Sequence, residues 1–174
     1  MEPDQIIKSA AEVGLLLDGM ASRLTALTAA HGRTPFHMVG VRRGGLWVAQ
    51  ALAERLGYRG AMGELDIAFY RDDFSQLGLH PSVAPSNLPF DVDDAHVVLV
   101  DDILYTGRTV RAALNEIFDY GRPASVSLVV LVDRGGRELP MAPDVVGLTL
   151  DVAPEDEVKL RSSSDLSLIN RRVR

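Results

Sequence analysis

Val97-Val98-Leu99-Val100-Asp101-Asp102-Ile103-Leu104-Tyr105-Thr106-Gly107-Arg108-Thr109-Val110 is the stretch whose reading decides the fold of this chain. Its first four residues form a short, β-branched-rich apolar run of the kind that fills a fully buried parallel strand, which ends on Asp101 and Asp102. From Val110 the period changes. Val110, Ala113, Leu114, Ile117 and Phe118 fall at i, i+3, i+4, i+7 and i+8 and make one apolar helical stripe. Gly121 caps that helix and Pro123 prevents its resumption. Between strand and helix lies a loop carrying Thr106, Gly107, Arg108 and Thr109. In an open α/β sheet such a loop sits at the carboxyl edge, where backbone N–H groups and the helix dipole favour an anion, so a phosphate belongs there.

The two carboxylates narrow the ligand. A few residues from a phosphate they would repel it unless hydroxyls or a cation stood between. A phosphorylated sugar satisfies both ends: its phosphate takes the Thr106 and Thr109 hydroxyls with the loop amides, and its ring hydroxyls donate to the aspartates. The loop is neither a Walker A sequence nor a dinucleotide fingerprint. A phospho-acceptor receiver domain also places aspartates at strand ends but needs a lysine at the end of a later strand, and the chain has only Lys8 and Lys159. The acidic pair, the Thr-Gly-Arg-Thr loop and the following helix together resemble the phosphoribosyl-pyrophosphate (PRPP) signature of type I phosphoribosyltransferases.

The 174 residues suit one domain, residues 1–174, with a sizeable buried core. No run of eighteen apolar residues offers a membrane span, and no basic, apolar leader opens the chain. With no cysteine, disulfides and thiolate metal sites are excluded and a cytoplasmic location is the simplest expectation. A formal net charge of −6 argues against a general nucleic-acid binder, DNA included.

In chain order, Ile6, Ile7, Ala10, Val13, Leu17, Met20, Leu24 and Leu27 predict a packing helix over the first thirty residues. Phe36 to Val41 reads as a strand, running into the basic, glycine-rich turn Arg42-Arg43-Gly44-Gly45 that opens a helix from Leu46 to Leu56. Two arginines and two glycines at a helix start make a second anion site, as a ribose carrying phosphates at both ends requires. Glu64 to Tyr70 alternates as a strand, and then regular patterning stops from Arg71 to Asp94. So long a run reads as a lid or binding loop, with Arg71 placed to swing over an anionic leaving group. Ser125 to Val132 is another buried strand whose carboxyl end delivers Asp133, Arg134, Gly135, Gly136 and Arg137 to the same crevice, making Asp133 to Pro140 the wall for an acceptor base. Val145 to Leu150 suits a further strand, and Glu157 to Arg161 with Leu166 to Asn170 a terminal hairpin. His31, His37, His80 and His96 show no metal-ligand spacing.

Several of these blocks in the same order, Glu64-Leu65-Asp66-Ile67, Tyr70-Arg71-Asp72-Asp73, Asp101 to Thr109, Val132 to Gly135 and Arg137 to Pro140, are similar to the PyrR family of pyrimidine-operon attenuators with uracil phosphoribosyltransferase activity. The resemblance implies an α/β fold with a doubly wound, mostly parallel sheet flanked by helices, a small hood and a flexible lid loop. It implies transfer of 5-phosphoribosyl from PRPP to uracil, giving UMP and diphosphate, with Mg²⁺, in a homo-oligomer. In these terms Asp101 and Asp102 hold the ribose hydroxyls and offset developing positive charge at C1, and Arg71 assists catalysis. Arg42, Arg43, Tyr105, Thr106, Gly107, Arg108 and Thr109 bind PRPP; backbone groups around Val132, Asp133 and Arg134 read the uracil; and Mg²⁺ lies near Asp101 and Asp102, held through hydroxyls or water. Such a site needs no covalent nucleophile, and catalysis is mostly positioning and electrostatics.

The chain departs from the family twice. The first turn's expected arginine falls on Gly44, with Arg43 beside it to compensate. The family's Gly-His-Arg-Glu-Leu-Pro is Gly135-Gly136-Arg137-Glu138-Leu139-Pro140 here, and the first helix carries few cations. Those regions serve RNA contact in attenuating members, so leader mRNA binding is expected to be weak. The alternatives to a uracil enzyme are a UMP-responsive RNA-binding attenuator with little turnover and a purine-type phosphoribosyltransferase.

Overall fold

The computed structural model describes residues 4–67 and 86–172, and at its centre stands β4, His96–Leu104. The strands β2 (His37–Val41), β3 (Gly63–Leu65), β5 (Ser125–Asp133) and β6 (Val145–Thr149) join it in a sheet of order β3-β2-β4-β5-β6. Every neighbouring pair in that sheet is parallel, so all five carboxyl ends lie along one edge. Both faces are covered, which explains why β4 and β5 read as unbroken apolar runs rather than alternating ones. On one face, Val98 and Val100 of β4 meet Val13, Leu17, Met20 and Leu24 of α1 (Ala10–Ala30) and Val48 and Leu52 of α2 (Gly44–Leu56). On the other, Val97 and Leu99 meet Val110, Ala113 and Ile117 of α3 (Arg108–Tyr120). The doubly wound arrangement expected from the central stretch is therefore present.

A smaller antiparallel sheet of order β1-β8-β7 is built from both ends of the described chain: β1 (Gln5–Lys8), β7 (Asp156–Leu160) and β8 (Leu168–Arg172). It packs Val158, Leu160 and Leu168 into the α1 side of the core and supplies the hood. The terminal hairpin is as expected, but its third strand corrects the reading of the first thirty residues as one helix. Ile6 and Ile7 lie in β1, and the helix begins only at Ala10. The boundary is chemical: Ser9 caps α1 and Glu12 returns the bond, with Ser9 N–H donating to Glu12 Oε2 at 2.8 Å.

Other boundaries also move. β4 does not end on the acidic pair but continues to Leu104, paired to β5 as far as Asp133. α2 starts at Gly44, two residues before the predicted Leu46. Phe118, placed in the apolar stripe of α3, is 48% exposed, because the stripe is complete at Ile117. β3 spans Gly63–Leu65 only, and the remainder of the predicted strand beyond Ile67 lies outside the described residues, as does most of the predicted lid loop. Its last part, from Ser86, is packed structure: Asn87 bridges Glu64, Leu88 and Val92 are buried, and Phe90 stacks on His37 at 4.1 Å. Among the described residues no helix is long and apolar enough to cross a membrane.

Candidate active site

The carboxyl edge gathers three connections, and the sequence of each explains its shape. The first leaves β2 as Arg42-Arg43 and turns straight into α2 at Gly44-Gly45. A Cβ on Gly44 would run into the carboxylate of Asp102, and one on Gly45 would stand 2.6 Å from the Val100 carbonyl and 2.9 Å from Asp101 Cα. The glycines are thus what lets the turn lie directly on the acidic pair. The Arg42-Arg43 peptide is cis. The Arg42 guanidinium donates from Nε and Nη2 to Glu64 Oε2 of β3, at 2.9 and 2.5 Å.

Asp101 is 4% exposed and Oδ1 accepts the Asp102 N–H at 2.9 Å; Asp102 is half-buried beside the Gly44 turn. Downstream, β4 passes through Tyr105 and Thr106 into Gly107, whose φ of 93° only glycine adopts readily, and α3 begins at once. Thr106 is buried, and its hydroxyl accepts the Arg108 N–H at 3.2 Å. Neither Arg43, at the start of α2, nor Gly107, at the start of α3, makes a side-chain cap bond, whereas α1, which starts elsewhere in the fold, is fully capped. Two helix N-termini therefore present backbone donors to the edge that carries Asp101 and Asp102.

The third connection, Arg134 to Asp144 after β5, is knitted to the second. Thr106 O accepts from Glu138 N and Leu139 N at 2.9 and 3.0 Å, and Arg108 pairs with Glu138 at 2.7 Å. Arg137 acts as a brace, its guanidinium bonding to Met141 O, Tyr105 O and Asp133 Oδ2 at 2.9, 2.8 and 2.6 Å. Burial works to raise the Asp133 carboxyl, but the Arg137 guanidinium and the Gly135 N–H outweigh it and hold the group below the usual carboxylate range. Arg134 is 9% exposed; it donates to Asp156 O and Ala153 O of the hood at 2.8 and 3.0 Å and lies over the Tyr105 ring, 4.1 Å from its centroid. Gly136, at φ 71°, packs so closely on the Tyr105 ring that a Cβ would overlap it as the ring now lies.

These groups line an open cavity of about 580 Å³ between Tyr105, the Asp133–Arg137 segment and Thr149–Pro154. The structure thus brings together Asp101, Asp102, Tyr105, Thr106, Gly107, Arg108 and Thr109 with Asp133 and Arg134, and sets Arg42 and Arg43 on the neighbouring turn. Val132, expected near the base, is sealed in the sheet one step before the cavity. Arg71 lies outside the described residues. Sequence reasoning missed the Arg137 brace, the Gly136–Tyr105 contact and the hood wall, none of which has a local pattern. Only the unusual density of arginine and glycine from Arg134 to Arg137 hinted at them.

A phosphoribosyl transferase domain model matches residues 7–160. A bifunctional protein PyrR of Pseudomonas aeruginosa is 56% identical over 153 residues, covering 88% of this chain and 90% of that protein. One from Pseudomonas fluorescens is 55% identical, covering 88% and 91%. Among solved structures, the hypoxanthine phosphoribosyltransferase of Trypanosoma cruzi superposes with a TM-score of 0.68 at 19% identity over 98% of this chain and 97% of its own. A Staphylococcus aureus hypoxanthine phosphoribosyltransferase gives 0.63 at 17% identity, covering 88% and 80%. At such identities the structural likeness speaks for the fold alone.

Proposed function

The chain belongs to the phosphoribosyltransferase family, in its PyrR branch, and from that membership we propose that it is a glycosyltransferase moving 5-phosphoribosyl from PRPP to uracil, with UMP and diphosphate as products. The observation that carries this reading is the carboxyl edge itself: an acidic pair flanked by two helix starts without side-chain caps, with a cavity large enough for a base beside them.

The assignment of ends follows from position. The ribose 5-phosphate fits the Thr106–Thr109 start of α3, where the Thr106 and Thr109 hydroxyls and the loop amides donate. The diphosphate fits the Arg42–Gly45 turn, and the ring hydroxyls between them fall to Asp101 and Asp102. The uracil then occupies the cavity against Tyr105 and the Asp133–Gly136 wall. As the C1–oxygen bond to diphosphate breaks and the C1–nitrogen bond to uracil forms, with the proton of that ring nitrogen lost to water, positive charge develops on the ribose, and the two carboxylates stabilise it in place. Asp101 and Asp102, as hard oxygen donors, would hold Mg²⁺ through ribose hydroxyls or water, and the ion would supply charge neutralisation for the leaving diphosphate. Arg137 bonds to the protein through three nitrogens and Arg134 through two, with the buried Arg134 Nε left without a partner, so both are fixed in the wall of the cavity. Self-association follows from the family reading, and the exposed side chains of Ile6 and Leu15 are apolar surface that an assembly would cover.

The reading is tested by assaying PRPP-dependent nucleotide formation with uracil, hypoxanthine and guanine in parallel. UMP formation with little turnover of either purine is expected. Turnover with a purine but not with uracil would contradict the proposal.

A further inference from the structure

We infer that Glu64 is a built-in competitor for the diphosphate end of the donor, holding the Arg42 guanidinium in the resting chain and releasing it when a diphosphate arrives. The inference rests on the reading of the carboxyl edge as the PRPP site. Both bonds of the pair go to one oxygen, Glu64 Oε2, from Arg42 Nε and Nη2. The two side chains keep 34% and 30% of their surface exposed, so water reaches the pair and separating it is inexpensive.

The backbones on either side do not share that freedom. Arg42 N–H donates to Leu65 O at 2.9 Å, and Glu64 exchanges main-chain bonds with Asn87, 2.8 Å in each direction. What can change is therefore the side-chain pairing alone. Two residues beyond Arg42, the Gly44-Gly45 turn touches Asp102 and Asp101, so the long arginine stem starts beside the place where the leaving group would lie. A diphosphate offers several charged oxygens in the bidentate spacing that guanidinium prefers, against one carboxylate oxygen of Glu64. The Arg137–Asp133 pair nearby is the contrast. Its side chains are 24% and 18% exposed, so water reaches that pair less readily.

Because Glu64 must surrender Arg42 and its own negative charge stays nearby, it lowers affinity for ligands with a diphosphate and leaves those with a single phosphate at the other loop unaffected. The test is calorimetric titration of wild type, Glu64→Gln and Glu64→Ala with Mg²⁺–PRPP, Mg²⁺–diphosphate and UMP. Both variants should bind PRPP and diphosphate about 3- to 10-fold more tightly, with UMP affinity unchanged, and the gain should vanish in an Arg42→Gln background. Unchanged or weaker PRPP binding in the variants would overturn the inference, the weaker case making Glu64 a residue that positions Arg42. A gain that persists without Arg42 would overturn it equally. Wild type that binds no PRPP and makes no UMP would refute the underlying site reading, whereas active wild type with unresponsive variants would refute the competitor alone.

Discussion

Single side chains at the carboxyl edge have roles that their surroundings separate cleanly. Asp101 is nearly enclosed and spends one oxygen on the Asp102 N–H, while Asp102 faces the glycine turn. Replacing either carboxylate by the isosteric amide keeps its shape and removes its charge. Asp101→Asn and Asp102→Asn should therefore each lower the turnover number by about 10- to 1000-fold with little change in melting temperature, checked by initial rates of UMP formation beside thermal unfolding. Unchanged turnover in both would remove the pair from the mechanism. This acidic pair and its Thr-Gly-Arg-Thr loop were legible in the sequence because their chemistry is local, set by consecutive residues at a strand-to-helix junction. The Arg137 brace was not: its partners Tyr105 O and Met141 O are carbonyls, present in any residue, and the first is thirty-two positions away. For the same reason the sequence, in which Gly136 reads as a lost cation, did not show that Gly136 also packs against the Tyr105 ring.

At the scale of elements, periodicity identified the helices and the buried strands, and chemistry at their ends corrected the boundaries. α1 is the clearest case. Its apolar spacing extends back into Ile6 and Ile7, but the Ser9–Glu12 capping box stops the helix and β1 takes those residues into the small sheet. A hydrophobic count cannot see this, because pairing with β8 comes from the far end of the chain. The cap carries a pH signature. The Ser9 N–H, aided by Lys8 and the Ser9 hydroxyl, pulls the Glu12 carboxyl down to about 2 from an ordinary value near 4.5. A carboxylate with a depressed folded-state pKa contributes stability above its unfolded value and loses it as pH falls through the folded one. The melting-temperature advantage of wild type over Glu12→Gln should thus be full at pH 6 and shrink progressively between about pH 4.5 and 2. A difference that stays constant over that range would show that the Glu12 charge does not contribute to the cap.

Across the whole molecule, charge placement bears on whether this chain also contacts RNA, as the family resemblance implies for attenuating members. Four cations of the small sheet and its borders are matched to acids: Lys8 to Glu12, Lys159 to Glu157, Arg161 to Asp165 and Arg171 to Asp4. With a net charge of −6, that surface offers few cations ready to displace counterions from a phosphate backbone. Gel-shift titration with a pyrimidine-leader hairpin at physiological salt is expected to give micromolar or weaker binding. A nanomolar complex strengthened by UMP would mean that these pairs open for RNA. The doubly wound sheet was readable from two apolar runs and the helical stripe between them, and the hairpin of the small sheet from its own pattern, whereas the third strand of that sheet, β1, joins the hairpin from the other end of the described chain and had no such local signal.

The central claim is that one edge of the parallel sheet holds phosphate, ribose and base in a fixed order. The most direct measurement is a crystal structure of the protein with UMP and Mg²⁺. It should show the phosphate on the Thr106–Thr109 start of α3, the ribose hydroxyls at Asp101 and Asp102, and the uracil ring in the cavity between Tyr105 and the Asp133–Gly136 wall. UMP bound with its phosphate on the Arg42–Gly45 turn, or anywhere away from the acidic pair, would contradict the account.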